Sequence, residues 1–138
     1  MSTVWIIGGT LFYYRREKTP SLSLEETPMV SILVPCYNEE TTINETIHRL
    51  NDLDYPNYEI IAINDGSSDN TSPILSKLCM KIKKLRVIDL KENSGKANAL
   101  QLGLLASKGE ILVGVDADAY LDKDALRYFV PHFTTKKN

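Results

Sequence analysis

Four short aliphatic, β-branched runs, each followed by residues of helical period, constrain this chain more than anything else in it. The runs are VSILVP (30–35), EIIAIND (59–65), LRVIDL (85–90) and EILVGVDAD (110–118), and all read as strands. Ile43, Ile47 and Leu50 then recur at helical spacing, as do Leu75, Leu78 and Ile82, then Ala97, Leu100 and Leu104, and finally Leu126, Phe129 and Phe133. Thr42 with Glu45 forms a candidate capping box, and Asp69 a candidate cap of the second helix. The last helix is expected to begin near Asp122 and to be broken by Pro131. Four strand-then-helix units in succession predict an α/β domain with a mainly parallel sheet, because right-handed crossovers through helices are the ordinary way to join such strands. With 138 residues, 43% hydrophobic and 25% charged, the chain is long and apolar enough for one domain with its own core, which argues against disorder.

In an open parallel sheet the carboxyl ends of the strands share an edge, and ligands bind in the crevice there. All four strand tips here are polar. PCYNEE follows the first and carries Tyr37, Asn38 and Glu39; NDGSSDNT closes the second with Asn64, Asp65 and Gly66; ENSGKAN follows the third with Gly95, Lys96 and Asn98; the fourth ends on Asp116 and Asp118. Each residue alone has an ordinary structural role open to it: Asp65-Gly66 as a turn, Tyr37 as packing, Lys96 as a solvated charge, Asp116 as a helix cap. Their recurrence at four successive tips favours a ligand site. Two carboxylates as close as Asp116 and Asp118 repel, so a positive group is expected between them. A nucleotide diphosphate cannot approach them directly. A divalent cation such as Mg2+ or Mn2+, bridging carboxylate and phosphate oxygens, resolves the conflict. A base can stack on Tyr37 and donate ring N–H groups to Asp65, and Lys96 can add a second positive contact.

The net charge of −2, with 16 Lys and Arg scattered among 18 Asp and Glu, shows no nucleic-acid footprint. Cys36 and Cys79 have neither disulfide-framework nor metal-site spacing, so a reducing, cytoplasmic setting is expected for the domain. The head is different. VWIIGGTLFYY (4–14) is apolar and aromatic and stops at Arg15, Arg16 and Lys18. Eleven residues are too few for a span of roughly 20, so residues 1–16 read as the end of a membrane-spanning helix, with Trp5, Tyr13 and Tyr14 at the interface and the basic cluster holding the domain after it in the cytoplasm. A buried or amphipathic N-terminal helix is the alternative. Residues 17–28, rich in Pro, Ser, Thr and Glu, read as a linker, and the domain proper as 29–138.

At PCYNEE, INDGSSDNT, NSGKANAL and VDADA, in that order, the chain resembles the family 2 glycosyltransferases, the processive GT-A group that includes cellulose, chitin and hyaluronan synthases. Within that family the head WIIGGTLFYYRRE resembles the segment preceding the catalytic domain of bacterial poly-β-1,6-N-acetylglucosamine synthases. The resemblance implies a Rossmann-like GT-A half-domain that binds a UDP-sugar, UDP-N-acetylglucosamine in the narrower comparison, for an inverting, processive enzyme of the bacterial cell membrane. It implies that Tyr37 and Asp65 hold the uracil, that Pro35 and Glu39 shape the same pocket, and that Lys96 lies near the phosphates. Asp116 and Asp118 match the family's DxD, Asp116 toward ribose and metal, Asp118 toward the metal on the diphosphate. Further partners implied are the growing β-linked glycan and the membrane, with an accessory membrane subunit compatible. The family's later motifs, an acidic general base ending in Glu-Asp and a Gln-x-x-Arg-Trp sequence at the acceptor, are not found in these 138 residues. The chain is therefore expected to be the donor-binding part of a longer synthase and to transfer no sugar alone. A non-catalytic UDP-sugar-binding or regulatory module is the competing class. A dinucleotide-binding Rossmann domain fits less well, since PCYNEE stands where a glycine-rich turn belongs, and a receiver domain would need an aspartate open to phosphorylation.

Overall fold

A computed structural model describes residues 3–7, 10–14 and 27–134. Six strands form one sheet: β1 (Thr3–Ile7), β2 (Thr10–Tyr14), β3 (Val30–Cys36), β4 (Tyr58–Asp65), β5 (Leu85–Leu90) and β6 (Ile111–Gly114), in the order β1-β2-β6-β3-β4-β5. The four strands expected from sequence, β3 to β6, are mutually parallel. Their central pair is nearly continuous Val, Ile and Leu, as a sheet covered on both faces requires.

Pleating sends alternate residues to opposite faces. Ile32, Val34, Ile60, Ala62, Ile111 and Val113 face one way and are covered by α1 (Ile43–Asn51), α2 (Thr71–Lys81) and α4 (Ala125–Thr134). Leu33, Ile61 and Ile63 face the other way, against α3 (Lys96–Ala106), whose Ala99 and Gly103 allow close approach. Chain direction explains this division. From β3 the connections step outward through β4 to β5, then α3 carries the chain back over the opposite face to β6, on the other side of β3. The step reverses between β3 and β6, and that switch point is where a crevice opens in such sheets.

Several expectations need correction. The head is not helical where it is described: β1 and β2 are antiparallel strands, and β2 extends the sheet along β6. The reason lies in the residues themselves. Val, Trp, Ile, Phe and Tyr are strand formers, and Gly-Gly lies between Ile7 and Thr10, the dipeptide class that two-residue hairpins favour. Among the described residues no helix is long and apolar enough to cross a membrane. Of the 17–28 linker, only Thr27 and Pro28 fall among the described residues, and both belong to the domain's bonding. Their carbonyls accept from Asn57 Nδ2 and the Tyr55 hydroxyl.

The capping box does not form. Thr42 instead donates its hydroxyl to Glu39, and Glu45 pairs with Arg49 one turn on. Finally, α4 begins at Ala125 and continues through Pro131 instead of breaking there. Leu126 and Val130 are buried against the sheet, and that packing outweighs the one amide donor that proline removes. Asp69 does serve the start of α2, accepting from the backbone N–H and hydroxyl of Thr71.

Candidate functional site

The loops after β3 and β4 are bound to each other. Asn38, in the left-handed region at φ 53°, donates its N–H to Ser67 Oγ and accepts the Ser68 N–H on its side chain at 2.8 Å. Glu39 N–H donates to Thr71 Oγ1, Glu40 N–H to Asp69, and Asn70 N–H to Glu40 Oε1. Much of YNEE and GSSDNT is therefore occupied in holding the rim together. Asn64 likewise turns away from the crevice, donating to Asp89 at 2.6 Å.

Asp65 ends β4 at only 3% exposure, and four donors converge on its carboxylate. Oδ1 accepts the Ser94 N–H (2.8 Å) and the Ser94 hydroxyl (2.9 Å). Oδ2 accepts the Gly95 N–H (2.9 Å) and Asn93 Nδ2 (3.2 Å). The next residue, Gly66, lies at φ +71°, and a Cβ there would fall 2.4 Å from Asn93 N and from the Glu92 carbonyl carbon. Only glycine lets segment 92–95 lie so close to the tip of β4.

The strand carrying the aspartates ends earlier than expected, at Gly114, although Val115 N–H still donates to Leu33 O at 2.9 Å. The chain then turns. Ala117 points into the core between Asp116 and Asp118, and its carbonyl accepts the buried Thr46 hydroxyl of α1 at 2.6 Å. Lys96, expected to add a second positive contact, places its Nζ 2.5 Å from Asp116 Oδ1.

Pro35, Tyr37, Glu39, Asp65, Lys96, Asp116 and Asp118 all line one cleft of about 440 Å3 at the switch point. Cys36, Asn93, Gly95 and Ala117 complete its wall. Tyr37 is half exposed, with its ring available at the mouth. Burial, reinforced by Glu39, pushes the Cys36 thiol up to about 12, so this sulfur stays protonated and is no nucleophile at neutral pH. Sequence reasoning does not find Thr46. Its one signal is its place on the apolar stripe of α1 with Ile43, Ile47 and Leu50, where a hydroxyl needs a buried partner. Asn93 and Ser94 fall within the NSGKANAL motif, but their bonds to Asp65 span 28 and 29 residues.

Glu39, Asp65, Asp116 and Asp118 face a single lysine across this cleft, so an anionic ligand needs an added cation to enter. Among the described residues no three His, Cys, Asp or Glu side chains gather into a set that could hold a metal alone. Two carboxylates do fit a hard divalent cation whose remaining ligands are water and substrate phosphate oxygens. Asp116 and Asp118 would hold it, and the chemistry it supplies when bound is stabilisation of charge on a departing diphosphate.

A parallel sheet with an aromatic ring and acidic tips at its switch point defines a nucleotide-sugar-binding domain of the Rossmann-like GT-A type. The chain belongs to glycosyl transferase family 2, whose model matches residues 31–138. It is 39% identical over 139 aligned residues to the poly-beta-1,6-N-acetyl-D-glucosamine synthase of Staphylococcus aureus strain COL, covering 96% of this chain and 34% of that protein. Among solved structures it is similar to the mannosyltransferase PcManGT of Pyrobaculum calidifontis in complex with GDP-Man and Mn2+, with TM-score 0.75 and 30% identity over 85% of this chain and 36% of that one. It is also similar to S. aureus TarS 1-349 in complex with UDP-GlcNAc, with TM-score 0.65 and 32% identity over 72% of this chain and 29% of that one. The chain thus spans about a third of the length of the curated relatives it matches.

Proposed function

We propose that this chain is the donor-binding part of an inverting, processive glycosyltransferase that takes UDP-N-acetylglucosamine and extends a β-linked polysaccharide. The observation that carries the reading is the convergence of Tyr37, Asp65, Lys96, Asp116 and Asp118 on one cleft from four separate strand tips. Tyr37 stacks on the uracil and Asp65 accepts its N–H, with Pro35 and Glu39 shaping the pocket. Asp116 and Asp118 hold Mg2+ or Mn2+ on the diphosphate, and Lys96 supplies a further positive charge. Similarity to a poly-GlcNAc synthase and to a structure solved with UDP-GlcNAc supports the choice of sugar.

The cleft's carboxylates are all assigned to donor and cation, which leaves none for a general base, so the 138-residue chain binds donor but transfers no sugar. Sugar transfer by the purified chain would refute that part. Attachment of the whole enzyme to a bacterial cell membrane, with this domain cytoplasmic and an accessory membrane subunit as a compatible partner, rests on the family resemblance alone and not on the head, whose β2 strand pairs along β6.

Calorimetric titration of UDP, UDP-N-acetylglucosamine and NAD, with and without Mn2+, tests the reading. Both uridine nucleotides should bind with Mn2+, NAD should not, and D118N should lose the Mn2+-dependent part. UDP binding that Mn2+ does not strengthen, or binding that D118N leaves unchanged, would overturn it.

A further inference from the structure

We infer that segment 93–96 couples base recognition at Asp65 to cation binding at Asp116, by holding both carboxylates until ligands take its place. The inference rests on the assignment of Asp65 and Asp116 proposed above. Its structural basis is separate. An ionised carboxylate offers about four lone-pair positions, and segment 93–95 fills that number on Asp65 with two amides, one hydroxyl and one side-chain amide. A base N–H can reach Asp65 only by displacing one of these donors. The side-chain donors of Asn93 and Ser94 can rotate away, whereas the two backbone N–H groups move only with the chain.

The residue after this clasp is Lys96, bonded to Asp116. One four-residue segment therefore occupies both ends of the cleft. Its N-terminal end is braced, because the Gly66 backbone leaves no room at Asn93 and Glu92. Its other end is tied to α3. The Gly95 N–H donates to Asp65, its carbonyl accepts the Ala99 N–H at 3.0 Å, and Lys96 is the first residue of the helix. Loosening the clasp at Asp65 is therefore transmitted toward Lys96. That ion pair is half exposed on both sides, so it separates into water at small cost. Lys96 and a divalent cation compete for the same carboxylate. Base binding therefore favours cation binding, and linkage requires the reverse by the same factor.

Uridine tests this, because it carries no phosphate to ligate the metal, and any direct effect of its ribose at Asp116 would persist in the Lys96 variants. Mn2+ affinity of the 138-residue chain is measured by the paramagnetic resonance of free Mn2+, with and without saturating uridine. Uridine is expected to tighten Mn2+ binding about two- to fivefold, the scale of an exposed ion pair. K96M should gain that factor without uridine and show no further response, with K96Q as the second variant. S94A, which vacates an acceptor position on Asp65, should bind uridine more tightly. Independent binding of uridine and Mn2+, or an undiminished response in both Lys96 variants, overturns the coupling and leaves the donor-site assignment standing. Uridine binding that D65N does not weaken, or Mn2+ binding that D116N does not weaken, overturns the assignment and the coupling with it.

Discussion

The Thr46 hydroxyl donates to the Ala117 carbonyl at 2.6 Å, joining residues 71 apart in sequence, and this bond sets the turn between Asp116 and Asp118. Thr46→Val keeps the volume but leaves that buried carbonyl without its donor. The expected loss of stability is about 1–3 kcal/mol, read from urea unfolding. Mn2+ affinity should fall as well, because the two carboxylates lose their fixed spacing.

Gly66→Ala combines two penalties. The left-handed backbone alone costs roughly 1–2 kcal/mol for a residue with a Cβ, and overlap with Asn93 and Glu92 adds to it. The melting temperature should fall, and the amides of Ser94 and Gly95, now detached from Asp65, should exchange with solvent faster than in the parent chain.

Tyr37→Ala should separate binding from stability. With its ring half exposed, Tyr37 contributes little to the core, so unfolding should change by no more than about 0.5 kcal/mol. Uridine nucleotide affinity should weaken by about 1–3 kcal/mol, the usual worth of a base on an aromatic ring. Equal affinity in the variant would remove Tyr37 from the proposed base site.

At the opposite end of the sheet, Glu59 contributes to the domain's loss of stability in acid. Burial by itself would raise its pKa, but the Ser31 hydroxyl, the Lys108 amide and the Arg86 guanidinium together lower it below the ordinary 4.5. The stabilisation is present above the unfolded-state value and is lost as pH falls through the lower folded-state value. Between pH 7 and about 5 this group should leave stability unchanged. Below that range the wild-type chain should lose stability more steeply than E59Q, as measured by denaturant midpoints across the acid range.

The sheet core responds differently again. Ile60 is fully buried between β3, β5 and the helices over its face. Ile60→Ala should cost about 2–5 kcal/mol through lost burial and the cavity left behind. Under conditions where the variant remains folded, its uridine and Mn2+ affinities should be unchanged.

The alternation of strand and helix, the parallel character of β3 to β6, and the four polar strand tips are all legible in the amino-acid sequence. These are local signals: a period of two or 3.6 residues, an apolar run, a polar motif at its end. Which polar groups line the cleft and which face one another becomes clear only once the chain is folded. Asn38, Asp69 and Thr71 are engaged in joining two loops, Asp65 is filled by segment 93–95, and Lys96 sits on Asp116. The same holds for the head, where strand-forming residues that read as the end of a membrane helix pair along β6, and for α4, where packing carries a helix past its proline. The physical reason is common to all of them. A hydrogen-bonding group or an apolar face must be satisfied by something, but its partner lies tens of residues away, and only the folded chain brings that partner within reach.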